Sequence, residues 1–163
     1  LMDAIRTVLS DAEMTPATDQ PLITDNVLHG MRSPLRILLA EDNAVNRKVA
    51  VTILRKMGHE IVEAEDGAQA VDAALRQPFD VVLMDVQMPD MDGLDATRML
   101  REREQEIGHH LPIIALTAHS MRGDRERCLA AGMDAYVSKP FRPDELESAL
   151  RPYVMQESKE VNV

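Results

Sequence analysis

An α/β fold, a five-stranded parallel sheet with helices on both faces, is what this sequence predicts. Three observations predict it. From Leu35 onward, short apolar runs alternate five times with stretches of helical period. The connections are short, so successive strands run parallel and the helices return the chain. The runs Ile37 to Ala40, Val81 to Met84 and Ile113 to Leu116 are apolar without a polar alternate, which is the pattern of strands covered on both sides.

The elements follow in order. Ile37 to Ala40 is the first strand, and it runs straight into Glu41 and Asp42. Val45, Val49 and Ile53 then recur at i, i+4 and i+8 and mark the apolar face of a helix. Gly58 follows where a left-handed cap would end it. Glu60 to Ala64 is the second strand, and Ala70, Val71, Ala74 and Leu75 form the next helical stripe. Val81 to Met84, with two β-branched residues, reads as a buried strand with Asp85 at its carboxyl end, followed by a turn-rich stretch to Gly93. Ile113 to Thr117 and Ala135 to Val137 are the last strands, with Gly132 as a second left-handed cap between them. Pro143, Asp144 and Glu145 suit the start of the final helix, whose stripe is Leu146, Ala149, Leu150 and Tyr153.

The 163 residues suggest one domain, 35–154, with appendages. A domain of that size buries roughly 70% of its unfolded surface and needs no staples. Residues 10–34 carry Pro16, Pro21 and Pro34 among polar residues and read as a linker, and 155–163 reads as a tail. Residues 1–9 look helical and echo Leu146 to Val154: either the end of a preceding related domain or a generic amphipathic helix. A start at Leu1 suggests a segment of something longer. The formal charge of −10 argues against a nucleic-acid surface and for protein partners. Cys128 is the only cysteine, so no intrachain disulfide forms, and a reducing, cytoplasmic setting fits. No apolar stretch approaches the ~20 residues of a membrane span, so no direct membrane contact is expected of this segment.

The chemistry begins with Glu41, Asp42 and Asp85. Two adjacent strands ending in acids put three carboxylates in the crevice where open α/β sheets bind ligands. Like charges that close destabilise an empty site, so the cluster asks for a divalent cation. Mg²⁺ fits, because it takes oxygen ligands and keeps waters that a phosphoryl oxygen can replace. Taken singly, Asp42 reads as a helix cap and Asp85 as a turn cap. Thr117 and Lys139 change the balance: each also ends or follows a buried strand, so a hydroxyl and an ammonium converge on the acids. Hydroxyl, ammonium and metal together neutralise a phosphoryl group.

Assembled, these residues resemble the response-regulator receiver family from Leu35 to about Tyr153. The matching motifs are Leu39-Ala40-Glu41-Asp42-Asn43, Met84 to Gly93, Leu116-Thr117-Ala118 and Lys139-Pro140. The resemblance implies a flavodoxin-like, doubly wound sheet in order 2-1-3-4-5. It implies that Asp85 accepts a phosphoryl group from a phosphohistidine, catalysed by the receiver itself with Lys139 and Thr117. Asp42, Asp85 and the main-chain carbonyl of Gln87 would ligate Mg²⁺, with Glu41 partly through water. Thr117 and Tyr136 match the switch pair, and Gln87 and His119 match positions that tune hydrolytic water. A cis Lys139–Pro140 bond is also implied.

The implied partners are a histidine kinase or a histidine phosphotransfer domain, and a weak homodimer is compatible. The Ala-Glu-Asp-Asn motif with Asn46 is similar to receivers of hybrid sensor histidine kinases, whose parent can be membrane-anchored. Two alternatives stand beside this: a stand-alone receiver regulating a protein target, and a Mg²⁺-dependent aspartyl-nucleophile phosphatase. The latter carries an acid two residues past its nucleophile, where this chain has Gln87. His29-Gly30-Met31-Arg32-Ser33-Pro34-Leu35 imitates a kinase phosphoacceptor box, but Gly30 replaces the acid that would act as base. His29 reads as a linker histidine.

Overall fold

The structure, a computed structural model, describes residues 33–119 and 121–160. The expected helix over 1–9, nearly all of the expected linker and His29 lie outside the described residues. The compact unit that carries the sheet begins at Pro34.

Five strands and five helices alternate: β1 (Arg36–Ala40), α1 (Ala44–Lys56), β2 (Glu60–Ala64), α2 (Gly67–Arg76), β3 (Val81–Asp85), α3 (Gly93–Ile107), β4 (Ile113–Thr117), α4 (Arg122–Ala131), β5 (Ala135–Ser138) and α5 (Pro143–Glu160). All pairings are parallel and the order is β2-β1-β3-β4-β5. The strand order reverses between β1 and β3, which opens a crevice at their carboxyl ends.

The period of two along each strand splits the core into two layers. Leu38, Ala40, Val82, Met84, Ile113 and Ala115 pack under α2, α3 and α4. Ile37, Leu39, Val81, Leu83, Ile114 and Leu116 pack under α1 and α5. Each fully buried Leu or Ile here contributes about 1.5–3 kcal/mol.

Helix starts are capped from the sequence. Asn43 accepts from the amides of Val45 and Asn46, Asp66 from Gln69, and Asp92 from Asp95. Gly58 and Gly132 adopt φ of 91° and 106° at the ends of α1 and α4, as their positions predict.

One expectation fails in part. Of the Val45, Val49 and Ile53 stripe, Ile53 is partly buried against the core, but Val45 is 71% and Val49 44% exposed, and α1 packs chiefly through Ala50, Val51 and Leu54. Ala50, Val51 and Leu54 share one helix face at i, i+1 and i+4 and Ile53 flanks it, so Val45 and Val49 lie on the opposite side. The final helix runs on to Glu160, into the segment read as a tail, and no Gly or Pro after Pro152 interrupts it there. No helix among the described residues is long and apolar enough to cross a membrane.

Candidate functional site

Four strands deliver polar groups to one edge of the sheet. Glu41 and Asp42 follow β1, Asp85 ends β3, Thr117 ends β4 and Lys139 follows β5. The backbone ladder extends beyond the strands. Glu41 N donates to Ala64 O at 3.1 Å, Val86 N to Leu116 O at 3.0 Å and Lys139 N to Thr117 O at 2.8 Å. The sheet itself therefore aims these side chains.

Asp85 is 2% exposed. Its Oδ2 lies 2.8 Å from Nζ of Lys139, and its Oδ1 accepts from the amide of Gln87 at 3.1 Å. The turn-cap contact of Asp85 thus exists alongside the ion pair. Glu41 is wholly buried; its Oε1 accepts from the Asn43 amide at 3.2 Å and its Oε2 lies 2.8 Å from the same Nζ. Among the described residues the Lys139 ammonium is the one group that reaches this Oε2. Asp42 is exposed and does not cap α1; Asn43 does. Ligand oxygens of Glu41, Asp42 and Asp85 lie within 4.8 Å of one another.

Charge balance follows from burial. Burial pushes the Asp85 carboxyl up from 3.8 to about 6; the Lys139 hydrogen bond opposes this and the Glu41 charge adds to it. Burial also pulls Lys139 down, but its hydrogen bonds to Asp85 and Glu41 and their charges outweigh it, and the ammonium is held above its ordinary range. One cation therefore serves two buried carboxylates.

The backbone around Asp85 is tightly fixed. A Cβ at Gly93 would sit 2.1 Å from the Asp85 carbonyl oxygen, and one at Gly67 would sit 2.5 Å from that of Met91. Both glycines let backbone pack on backbone, so the turn after Asp85 is held from two sides.

These groups open onto a cavity of about 710 Å³, lined by the three acids with Gln87, Thr117, His119 and Lys139. A buried carboxylate, an ammonium, a hydroxyl and two further acids thus share one opening. The model of the response regulator receiver domain matches residues 37–151.

The chain belongs to the response regulator receiver family.

Among curated relatives, 115 residues are 47% identical to hybrid signal transduction histidine kinase I of Dictyostelium discoideum, covering 68% of this chain and 7% of that protein. Another 116-residue match is 46% identical to the sensor protein GacS of Pseudomonas syringae pv. syringae, covering 71% and 13%. The chain spans only a small part of such relatives. Among solved structures, the receiver domain of sensor histidine kinase PA1611 from Pseudomonas aeruginosa PAO1 is 47% identical with a TM-score of 0.67, covering 75% of this chain and 98% of that one. That structure holds a magnesium ion in its active-site cleft. The Vibrio cholerae chemotaxis protein CheY4 is 28% identical with a TM-score of 0.68, covering 74% and 99%.

In this receiver, Thr117 is nearly buried and its hydroxyl is engaged within its own turn. It donates to His119 O at 2.8 Å and accepts from His119 N at 3.1 Å. Tyr136 is outside the cavity, 40% exposed, with the Arg125 guanidinium 5.2 Å from its ring centroid. Lys139–Pro140 is cis, as expected. Sequence reasoning missed Asp92, Asp124 and Arg127, which also line the cavity. Asp92 was legible as a helix cap; Asp124 and Arg127 carry no local signal, because α4 brings them to the rim.

Proposed function

We propose that this receiver accepts a phosphoryl group on Asp85 from a phosphohistidine on a kinase or histidine phosphotransfer domain, within a larger hybrid sensor histidine kinase. The observation that carries this is the buried Asp85 carboxylate, paired with Lys139 at 2.8 Å and facing a polar cavity.

The residues present fit a divalent cation. Three acids share one opening, and among the described residues Lys139 is the one cation at ion-pair distance, so the carboxylates outnumber the charge that offsets them. Asp42 and Asp85 would hold Mg²⁺ directly, with the Gln87 carbonyl; Glu41, both of whose oxygens are engaged, would act partly through water. When bound, Mg²⁺ supplies positive charge against the phosphoryl oxygens.

The chain's own groups do the rest. A carboxylate oxygen of Asp85 bonds to phosphorus as the bond to the donor imidazole nitrogen breaks; that nitrogen leaves with the electron pair and takes up a proton. Lys139 neutralises phosphoryl oxygens from the side already facing Asp85. Thr117 gives up its bond to His119 O and turns its hydroxyl to the phosphoryl group, and Tyr136 moves inward to fill the space. Gln87 and His119, both exposed at the cavity, set the access of water. The amide of Gln87 stands two residues past Asp85, where an aspartyl-nucleophile hydrolase carries its general acid, so the phosphoryl group is held.

The partner docks beside this opening. Val45 and Val49 form an exposed apolar strip on α1, next to the cavity wall made by Asn43 and Asn46. An apolar strip at the rim suits the helix that carries a donor histidine.

Phosphoramidate or beryllofluoride with Mg²⁺ tests the reading, followed by mass and amide NMR with Asp85→Asn as control. Wild type gains a phosphoryl mass, and its shifts cluster around Asp85, Thr117 and Tyr136. No mass gain and no Mg²⁺-dependent shift there would overturn it.

A further inference from the structure

Arg47, early in α1, takes no part in the reading above. Its side chain is only 13% exposed. Nη1 donates to the Glu41 carbonyl oxygen at 2.8 Å and more loosely to that of Asp42 at 3.4 Å. On its other side, Nε lies 3.3 Å from Glu63 Oε2 and Nη2 lies 3.0 Å from Glu65 Oε1. A planar guanidinium has five N–H donors in fixed directions, so one side chain can brace main-chain and carboxylate oxygens together; a lysine cannot.

The brace joins the end of β2 to the two residues that leave β1. Glu63 and Glu65 are 42% and 65% exposed, so their ion pairs alone contribute only about 0–1 kcal/mol. The carbonyl bonds are what distinguish Arg47 from an ordinary surface arginine. They fix the peptide planes of Glu41 and Asp42, and so limit the directions in which the two carboxylates can point.

We infer that Arg47 is a positioning residue for the cation-binding acids, acting through the main-chain carbonyls of Glu41 and Asp42. The inference rests on the reading of those acids as Mg²⁺ ligands and adds a residue that touches neither cation nor phosphoryl group. Two roles for Arg47 predict opposite signs. As a bare positive charge near the cluster it would oppose Mg²⁺, so its removal would tighten binding. As a positioning group, its removal weakens binding.

Mg²⁺ is titrated by amide NMR into wild type, Arg47→Ala and Arg47→Lys, with Tm in EDTA reporting the fold and hydrogen exchange of the Asn43 amide reporting the loop. Arg47→Ala raises the Mg²⁺ Kd about tenfold, as loss of an outer-shell orienting group does, while Tm changes little. Asn43, whose amide bonds Glu41 Oε1, exchanges faster in EDTA. Arg47→Lys restores part of the affinity, and serves as the test should the alanine variant not fold. A Kd for Arg47→Ala that is lower than wild type, or within about twofold of it, overturns the inference. Wild type that binds no Mg²⁺ would instead overturn the metal reading, and unchanged Asn43 exchange in Arg47→Ala would then overturn the brace as well.

Discussion

Nζ of Lys139 lies 2.8 Å from Oδ2 of Asp85. Through the same nitrogen it also pairs with Glu41, so one ammonium separates two buried carboxylates. Lys139→Met should slow the reaction of Asp85 with phosphoramidate by about 10²-fold, the scale of losing one donor to developing charge. Mg²⁺ affinity should hold or rise in the same variant, because a competing cation is gone. Rate by mass spectrometry and Kd by titration separate the two effects; a loss of Mg²⁺ binding in step with the rate would contradict the assignment.

Asp85 also sets a pH dependence. Its carboxyl titrates near 6 when folded and near 3.8 when unfolded, so between those values the folded chain holds the extra proton. Stability of the metal-free protein must then fall as pH rises from about 4 to 6 and stay low above. Solvent in the open cleft screens the full effect, leaving on the order of 1–2 kcal/mol. Asp85→Asn removes the titration. It should be the more stable protein in EDTA at pH 7, equal to wild type near pH 4, and should lose its advantage when Mg²⁺ is added to wild type. Urea unfolding at the two pH values measures this, and a difference independent of pH would refute it.

Gly93 sits where α3 starts against the carbonyl of Asp85. Its added Cβ would meet backbone at 2.1 Å, and backbone cannot swing aside as a side chain can. Gly93→Ala should cost about 1–3 kcal/mol and slow phosphorylation, since the Asp85 peptide must shift. Gly123, with nothing within 4 Å of its would-be Cβ, is the control. Gly123→Ala in α4 should gain up to about 1 kcal/mol and leave the rate unchanged.

Strands and site acids were legible for physical reasons. A strand buried on both faces must be apolar throughout, so Val81 to Met84 announces the element, and it is the convergence of Glu41, Asp42, Thr117 and Lys139 on Asp85 that announces the site. The α1 face was not legible, because periodicity finds a stripe without saying whether anything covers it. Val45, Val49 and Ile53 recur as regularly as a core face, yet of the three Ile53 alone packs on the core, beside Ala50, Val51 and Leu54. Arg47 was invisible for another reason: its carbonyl partners are present at every residue and leave no trace in side-chain sequence. The engagement of Thr117 with the His119 backbone is hidden in the same way.

The exposed stripe on α1 makes the last prediction. Val45 and Val49 contribute little to the core, so Val45→Gln with Val49→Gln should change stability by no more than about 0.5 kcal/mol. Neither substitution alters charge, so Mg²⁺ binding and phosphorylation by phosphoramidate should match wild type. Transfer from a phosphorylated histidine phosphotransfer domain should slow about tenfold, the effect of losing an apolar anchor at an interface. The two donors present the same phosphorus to the same Asp85 and differ only in whether a protein surface must dock. Equal slowing with both donors would place Val45 and Val49 in the chemistry, and no slowing with either would remove α1 from the docking surface.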